Sequence, residues 1–265
     1  MAKLASELVR NEVKEKLKRG ELVVSMAVKL VRSIEIAQIA STAGFDTLYI
    51  DLEHSSFSLD TTAQICMASM AVGVTPLVRV ASTDPAHIGR VLDGGAMGII
   101  APHVQTNADA ERIVRAAKFP PYGDRSFTGS LPHLRYRTFP AADVFEAMNE
   151  ATMVVIMIES SQGLESVEAI AAVEGVDMLF IGTNDLCASL GIPGQLDHPS
   201  IQDAYSRTLA ACRKHGKHLG IGGLGGKPEM VSLLIERGAR YFSTGTDISF
   251  LLASATAKAR QMRST

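Results

Sequence analysis

Short apolar runs rich in β-branched residues recur along the whole chain, and longer stretches with helical spacing of apolar positions separate them. Apolar runs of about four to eight residues between turn residues are typical of strands buried on both faces, as in a parallel sheet. The pattern predicts eight strands, at residues 22–27, 47–51, 75–80, 98–101, 153–158, 178–182, 218–221 and 241–243.

Helical stretches lie between these strands, and many of them end at a glycine, as helix C-termini commonly do. They cover residues 33–43, 59–71, 85–92, 108–117, 164–172, 201–214 and 228–237. Eight strand and helix units predict an α/β fold, a (β/α)₈ TIM barrel formed as a single domain by residues 1–265. A doubly wound open sheet is the alternative. It is weakened because no Gly-x-Gly-x-x-Gly follows the first strand and no Walker motif occurs.

Three segments depart from this rhythm. The N-terminus predicts an amphipathic helix whose apolar residues, from Leu4 to Leu17, share one face. Residues 119–151, a long insertion between strands four and five, exceed a routine connection, and we interpret them as a functional lid or a subunit contact. Near the C-terminus, the apolar segment from Ile248 to Leu252 requires a surface to cover it.

Charge and cysteine content narrow the functional classes. Lys and Arg number 26 against 28 Asp and Glu, for a net charge of -2 without a basic block. Nothing electrostatic therefore favours nucleic acid or an anionic membrane, and a small molecule is the expected partner. Cys66, Cys187 and Cys212 are an odd number at unrelated spacings, which suits neither a disulfide framework nor a zinc cluster. The cytoplasm is the expected compartment.

Acidic residues follow two of the predicted strands. Glu159 closes the apolar run of strand five, and Asp185 comes shortly after strand six. A carboxylate buried at a strand end costs free energy unless something compensates it, and a divalent cation shared by two carboxylates would do so. Catalytic groups of (β/α)₈ enzymes lie at the C-terminal ends of the strands. The two carboxylates therefore predict a metal site there.

Further polar residues follow strands two and three. Asp51, Glu53 and His54 end strand two, and Arg79 ends strand three. Taken singly, each has a structural explanation, such as an ion pair for the arginine or a helix cap for the others. Four strands that each bring a charged or titratable group to one rim are hard to explain by stability alone, because every burial carries a desolvation cost. An active site is predicted at this rim.

The other histidines show no spacing typical of a zinc site, and we expect most of them to be exposed or structural. They are His87, His103, His133, His198, His215 and His218.

Six ordered motifs are spread over the predicted barrel. They are Asp51-Leu-Glu53-His54, Pro76-Leu-Val-Arg79, Val91-Leu-Asp93-Gly-Gly95-Ala, Phe119-Pro-Pro-Tyr-Gly123-Asp-Arg125, Ile158-Glu159 and Val173-Glu-Gly-Val-Asp177-Met-Leu-Phe-Ile-Gly182-Thr-Asn-Asp185-Leu. Together they resemble the HpcH/HpaI class II pyruvate aldolases over roughly residues 20–255. The resemblance is specific to the family and does not single out one substrate.

The resemblance implies a metal-dependent (β/α)₈ enzyme that cleaves or forms 4-hydroxy-2-oxo acids through a pyruvate enolate, with pyruvate and an aldehyde as products. It implies Mg²⁺ or Mn²⁺ as cofactor, with Co²⁺ as an alternative. It also implies a homo-oligomer, a hexamer with helix exchange between subunits.

By position, the family's roles fall on seven residues of this chain. Metal binding falls on Glu159 and Asp185, and catalysis on His54, Arg79 and Asp93, the last supporting the histidine. Substrate contacts fall on Arg79, Met157, Asn184 and Asp185.

Several positions depart from the family's pattern. Met157 stands where glutamine is usual, which removes a side-chain hydrogen bond close to the predicted metal. Asn184 stands in a turn where Gly-Pro-Ala-Asp or Gly-Pro-Gly-Asp is usual. Ser126 and Phe127 replace glycines after Arg125 and would narrow the mouth of the site. The substrate therefore does not follow from the resemblance.

These groups support one mechanism. A divalent cation would polarise the carbonyl of a bound 2-oxo acid as a Lewis acid. Arg79 would stabilise the charge that develops on the C2 oxygen. His54, oriented by Asp93, would act as general base on the C4 hydroxyl, through a water.

Three alternatives use the same site differently. Oxaloacetate decarboxylation, or another enolate-forming lyase or ligase reaction, would need no aldehyde. A citrate lyase-like or malyl-CoA lyase-like enzyme would act on a thioester, although the chain has no basic cluster of the kind that CoA phosphates favour. A non-catalytic barrel that binds a 2-oxo acid is the alternative of another class, suggested by Met157 and Asn184.

Overall fold

The computed structural model describes residues 5–264. Eight parallel strands form a closed barrel in sequential order, in which β1 also pairs with β8. The strands are β1 Val23–Val28, β2 Thr47–Asp51, β3 Thr75–Arg79, β4 Gly98–Ala101, β5 Met153–Ile158, β6 Met178–Gly182, β7 His218–Gly222 and β8 Tyr241–Thr246. The predicted (β/α)₈ barrel is confirmed, and the predicted strands differ from these only at their ends.

Helices follow the strands around the outside of the barrel. They are α1 Ala5–Leu8, α2 Glu12–Lys18, α3 Glu35–Ala43, α4 Leu59–Ala71, α5 Pro85–Asp93, α6 Asn107–Ala117, α7 Ala141–Ala151, α8 Ser161–Glu165, α9 Val167–Ala171, α10 Thr183–Ser189, α11 Pro199–Lys214, α12 Pro228–Arg237 and α13 Asp247–Arg263, with a 3₁₀ turn at Pro132–Leu134. The apolar pattern did not predict α7, α10 or α13. Helix α13 was missed because its apolar residues form no buried stripe, so the spacing of apolar positions gives no helical signal there.

Side chains along each strand alternate between the barrel interior and the layer of helices. In β5, Met153, Val155 and Met157 pack inside the barrel, whereas Val154 and Ile156 pack against the helices. This period of two follows from the pleat of a β-strand. A residue two positions beyond an inward-facing residue is therefore aimed into the space above the core.

Aromatic side chains fill the interior below the C-terminal rim. Phe180 makes edge contacts with Tyr49 and Tyr241, at ring-centroid distances of 5.9 and 6.0 Å. A Cβ atom on either Gly220 or Gly222 would lie 2.8 Å from the Phe180 ring. Glycine at these two positions of β7 thus makes the space that the phenyl ring occupies.

The segment before β1 closes the N-terminal end of the barrel. The predicted single helix is two helices, α1 and α2, and Leu4 lies outside the described residues. Between them, the Asn11 side chain donates hydrogen bonds to the carbonyl oxygens of Met97 (3.2 Å) and Ala151 (2.8 Å), which precede β4 and β5. Leu17 packs with the interior residues of the barrel. This segment therefore forms the floor of the barrel.

The long segment between β4 and β5 packs at the same end. Phe119, Leu134 and Met148 form one apolar cluster with Ala5 and Val9 of the N-terminal segment. The interpretation of this segment as a lid is wrong, because its apolar residues are buried beside the floor and not above the C-terminal rim. Its role as a subunit contact stays a prediction.

No helix among residues 5–264 is both long enough and apolar enough to cross a membrane.

One buried histidine in the long segment is held in its neutral form. The Nε2 atom of His133 lies 3.0 Å from the Ala96 carbonyl oxygen, and burial lowers the pKa of His133 to about 4. The unfolded chain takes up this proton near a pKa of about 6.5. The folded state is therefore favoured above that pH, and stability is lost as the pH falls from there towards the folded pKa.

We expect His133→Gln, which keeps a nitrogen donor for the Ala96 carbonyl, to weaken this acid sensitivity. Between about pH 7 and pH 5, the wild type should lose about 2 kcal/mol more unfolding free energy than the variant. Urea unfolding at each pH measures the difference. Parallel losses in the two proteins would contradict the neutral, buried state of His133.

Candidate active site

A cavity of about 370 Å³ opens at the C-terminal ends of the strands. Lys29, Asp51 and Arg79 line this cavity, and Glu159 lies next to Gly182 of its lining. All four share one origin in the sequence. Lys29, Asp51, Arg79 and Glu159 each lie two positions beyond an inward-facing residue of β1, β2, β3 and β5, respectively. The alternation of strand side chains therefore aims all four towards the same space.

Asp51 and Arg79 form a buried ion pair between adjacent strands. The register of β2 and β3 sets the two residues side by side. Arg79 donates from Nε to Oδ1 of Asp51 (2.9 Å) and from Nη2 to Oδ2 (2.6 Å). Burial acts to raise the pKa of Asp51, but the hydrogen bonds and charge of Arg79 outweigh it and leave this pKa below its usual value. The pair is therefore charged at neutral pH.

The turn after β2 is held by the same carboxylate. Asp51 Oδ1 accepts hydrogen bonds from the backbone N–H groups of Glu53 (3.1 Å) and His54 (3.2 Å). The His54 side chain is 56% exposed at the cavity rim, with Nε2 at 3.9 Å from Glu53 Oε2. One buried anion thus positions both the cation at the end of β3 and the backbone that carries His54.

A chain of ion pairs continues from Arg79 to Glu159. Arg79 Nη1 lies 2.6 Å from Glu53 Oε2, and Glu53 Oε1 lies 2.6 Å from Nε2 of His103. His103 then contacts Glu159 Oε1 twice, through its backbone N–H at 2.6 Å and through Nδ1 at 3.1 Å. The groups at the ends of β2, β3 and β5 therefore form one connected network.

The part of His103 in this network was missed from the sequence. The residue has a φ of 58°, in the left-handed region that costs a non-glycine residue about 1–3 kcal/mol. The contacts with Glu159 and Glu53 stabilise this conformation. The strand-end rule could have found it, because only Pro102 separates His103 from β4.

The carboxylates of Glu159 and Asp185 fit a divalent cation. Burial raises the pKa of Glu159, and the carboxylates of Glu53 and Asp185 raise it further, against the backbone hydrogen bond from His103. Such a crowded carboxylate is compensated when a cation binds. Among residues 5–264 no group of three or more His, Cys, Asp or Glu side chains is close enough together to hold a metal ion by itself. The chain would supply two carboxylates, and water or substrate oxygens would complete the coordination.

Two residues expected to contact substrate also line the cavity. Met157 is 2% exposed, and its Sδ lies 3.9 Å from the Tyr49 hydroxyl oxygen, which donates towards it. Asn184 is exposed in the first turn of α10, next to Asp185. The structure thus places an apolar thioether in the floor of the cavity and a carboxamide in its wall.

Asp93 lies away from the cavity. Helix α5 starts after the C-terminal end of β3 and runs back along the barrel, so its last residue, Asp93, comes close to the start of β4. There Asp93 Oδ1 accepts a hydrogen bond from the buried Arg125 at 2.7 Å. Within one chain the structure does not bring Asp93 to His54, because the course of α5 separates the two residues. The supporting role of Asp93 stays a prediction.

Known proteins resemble this chain over most of its length. A sequence model of the family described as HpcH/HpaI aldolase/citrate lyase matches residues 30–254. The 4-hydroxy-4-methyl-2-oxoglutarate aldolase of Chaetomium globosum is 42% identical over 216 residues, which cover 81% of this chain and 80% of that protein. The 5-keto-4-deoxy-D-glucarate aldolase of Citrobacter koseri is 32% identical over 255 residues, covering 96% and 97%. The crystal structure of an HpcH/HpaI aldolase from Desulfitobacterium hafniense superposes with a TM-score of 0.90 at 30% identity, covering 96% and 97%.

The barrel, its charged rim and these relatives define an aldolase, a carbon–carbon lyase that acts on small molecules. The chain belongs to the HpcH/HpaI aldolase/citrate lyase family, and its activity is that of a class II pyruvate aldolase. The family and the class of enzyme predicted from the motifs are confirmed. Dependence on a divalent metal is typical of this family.

Gly182 gives a test of the carboxylate site. A Cβ atom there would lie 3.0 Å from Glu159 Oε2 and 3.1 Å from Met157 Cε. We expect Gly182→Ala to displace the Glu159 carboxylate and to weaken Mn²⁺ binding by about tenfold or more in calorimetric titration. Gly89→Ala is the matched control, because its new Cβ would meet nothing within 4 Å. Equal Mn²⁺ affinity in Gly182→Ala and the wild type would contradict this expectation.

Proposed function

We propose that the enzyme reversibly cleaves 4-hydroxy-2-oxo acids to pyruvate and an aldehyde, with Glu159 and Asp185 holding Mg²⁺ or Mn²⁺ and Co²⁺ as an alternative ion. The observation that carries this proposal is the placement of Glu159, a carboxylate buried at the end of β5 beside the carboxylates of Glu53 and Asp185. Such a group is stabilised by a cation. The bound cation would polarise the 2-oxo group of the substrate as a Lewis acid.

Arg79 would stabilise the negative charge that develops on the C2 oxygen of the substrate. A guanidinium carries five N–H donors. Two of them donate to Asp51, and Nη1 lies 2.6 Å from Glu53 Oε2 as an ion pair. Two donors remain for an oxygen in the cavity. Because buried carboxylates fix the guanidinium before substrate arrives, little reorganisation is needed when charge develops.

His54 is the proposed general base. Its exposed imidazole stands at the rim of the cavity, where it can take the proton of the C4 hydroxyl as the C3–C4 bond breaks. In the reverse reaction it returns that proton to the new alcohol. Met157 and Asn184 are proposed to contact substrate through the thioether and the carboxamide that they add to the cavity wall.

Variants of the network test these roles. We expect Arg79→Ala and Glu159→Gln to lower kcat by about 10²–10³, the usual loss when one charge-stabilising group is removed. Arg19→Ala, which removes an exposed arginine paired with Glu21 before β1, should retain activity. Pyruvate release from a panel of 4-hydroxy-2-oxo acids measures the effect, after thermal unfolding confirms that each variant folds. Near-wild-type rates in the first two variants would refute the assignment.

Removal of the metal tests the cofactor separately. We expect EDTA to abolish pyruvate release and added Mg²⁺ or Mn²⁺ to restore it, because the cavity carboxylates would otherwise repel the oxo acid. Full activity that persists in excess EDTA would contradict a metal-dependent reaction.

The C-terminal helix supports a homo-oligomer. Ile248, Phe250, Leu251 and Leu252 of α13 are 42%, 38%, 60% and 64% exposed. Clustered apolar side chains of this kind are typically covered by another protein surface. We propose a hexamer on the basis of the family resemblance. In such an assembly Asp93, whose side chain is 39% exposed, would support His54 of a neighbouring subunit.

Co-expression of two defective chains tests this arrangement. His54→Ala and Asp93→Asn should each be impaired alone, and a mixed oligomer should recover about a quarter of wild-type activity, because random pairing leaves both residues intact at that fraction of sites. Activity of the mixture equal to the mean of the two variants would contradict a shared site.

We propose the cytoplasm as the compartment of the enzyme. Cys66, Cys187 and Cys212 are buried and free, which supports a reducing environment.

A further inference from the structure

We propose that Lys29 binds a second carboxylate of the substrate and that the enzyme therefore prefers 4-hydroxy-2-oxo acids with two carboxylates. This inference rests on the aldolase function proposed above. It specifies that the half of the substrate released as the aldehyde carries a negative charge. It also gives a role to Lys29, which lies outside the family motifs.

Lys29 is aimed into the cavity by the register of β1. It follows Val28, the last residue of the strand, and lies two positions beyond the inward-facing Ala27. Its side chain lines the cavity and is 26% exposed, with Nζ at 3.1 Å from Asp51 Oδ2. The ammonium group is therefore inside the site.

The backbone at Lys29 is fixed by the helix that follows β8. Asp247, at the start of α13, accepts hydrogen bonds from the backbone N–H groups of Lys29 (3.1 Å), Leu30 (2.9 Å) and Val31 (2.8 Å). Three successive donors on one buried carboxylate hold the loop after β1 in place. Lys29 thus starts from a defined position, which favours specific recognition.

The Asp51 carboxylate has its hydrogen-bond donors without Lys29. Arg79 already binds that carboxylate through two hydrogen bonds, and two backbone N–H groups complete its shell. An ammonium group carries three N–H donors, and Lys29 meets Asp51 as an ion pair, with Nζ 3.1 Å from Oδ2. Its donors are therefore available to an anion in the cavity.

The position of Lys29 suits the half of the substrate that becomes the aldehyde. In an eight-stranded barrel of sequential order, β1 lies opposite β5, which carries Glu159. The pyruvate half is proposed to bind near Glu159 and Asp185, with Arg79 on β3 between the two sides. The wall beside Lys29 is formed by small uncharged residues, among them Gly223, Gly225, Ser243 and Thr244. A carboxylate beyond C4 would reach this wall and meet the ammonium group.

Two substrates that differ only at C5 test the inference. In both 4-hydroxy-2-oxoglutarate and 4-hydroxy-2-oxopentanoate the base takes the C4 hydroxyl proton and the C3–C4 bond breaks to leave an enolate. C3 of the enolate then takes up a proton from water, so pyruvate forms from either substrate. The second product is glyoxylate from the first and acetaldehyde from the second. The ratio of the two kcat/KM values, measured by pyruvate release with Mg²⁺, reports recognition of the second carboxylate.

We expect the wild type to favour the substrate with two carboxylates, and Lys29→Met to lower the ratio by about 10- to 100-fold, the value of one hydrogen bond between charged groups. Lys29→Arg, which keeps the charge, should retain most of the preference. Lys214→Met removes a lysine that pairs with Glu168 on the outside of the barrel and should leave the ratio unchanged.

An unchanged ratio in Lys29→Met overturns the inference while the aldolase function stands. This holds whether both kcat/KM values stay at the wild-type level or fall by the same factor, the latter being the effect of Lys29 on the reaction through Asp51 and Arg79. Failure of the wild type to release pyruvate from either substrate in the presence of metal would overturn the proposed function, and this inference with it.

Discussion

The buried ion pair between Asp51 and Arg79 is the interaction on which the rest of the site depends. It joins β2 to β3 at the barrel rim, and both partners are almost inaccessible to water. Removal of one partner from such a pair leaves an unpaired buried charge, at a cost of about 3–5 kcal/mol. The pair fixes the Arg79 guanidinium, the turn that carries His54 and, through Glu53 and His103, the Glu159 carboxylate. This network of alternating positive and negative groups therefore holds the charged side chains of the site in fixed positions.

The barrel supplies the second constraint. Because strand side chains alternate and the sheet is closed, every second residue must point to one interior. Below the rim that interior is filled by Tyr49, Phe180 and Tyr241, with glycines on β7 providing the space. Above them, the next inward positions can carry charge because each charged side chain pairs with an opposite charge beside the cavity. The same rule that packs the core therefore assembles the site.

Much of this was predictable from the sequence, since the strands are continuous apolar runs and the barrel rule locates their C-terminal ends. Glu159 and Arg79 follow directly from that rule. The relation of Asp93 to His54 was not predictable for one chain, because the resemblance carries a role without saying which subunit supplies it. The position of His103, two residues beyond β4, follows the same rule, but its contacts were not predictable because they depend on a left-handed backbone conformation. The long segment was misread as a lid because its length gives no information on which end of the barrel its apolar residues cover.

The central claim is that Glu159 and Asp185 hold the divalent cation of this aldolase. Anomalous diffraction from crystals grown with Mn²⁺ and pyruvate would test it most directly. The account predicts one strong Mn²⁺ peak within about 2.5 Å of an oxygen of each carboxylate, on the side of the cavity that faces Arg79. A fully loaded Mn²⁺ site elsewhere in the protein, with neither carboxylate in its coordination shell, would contradict it.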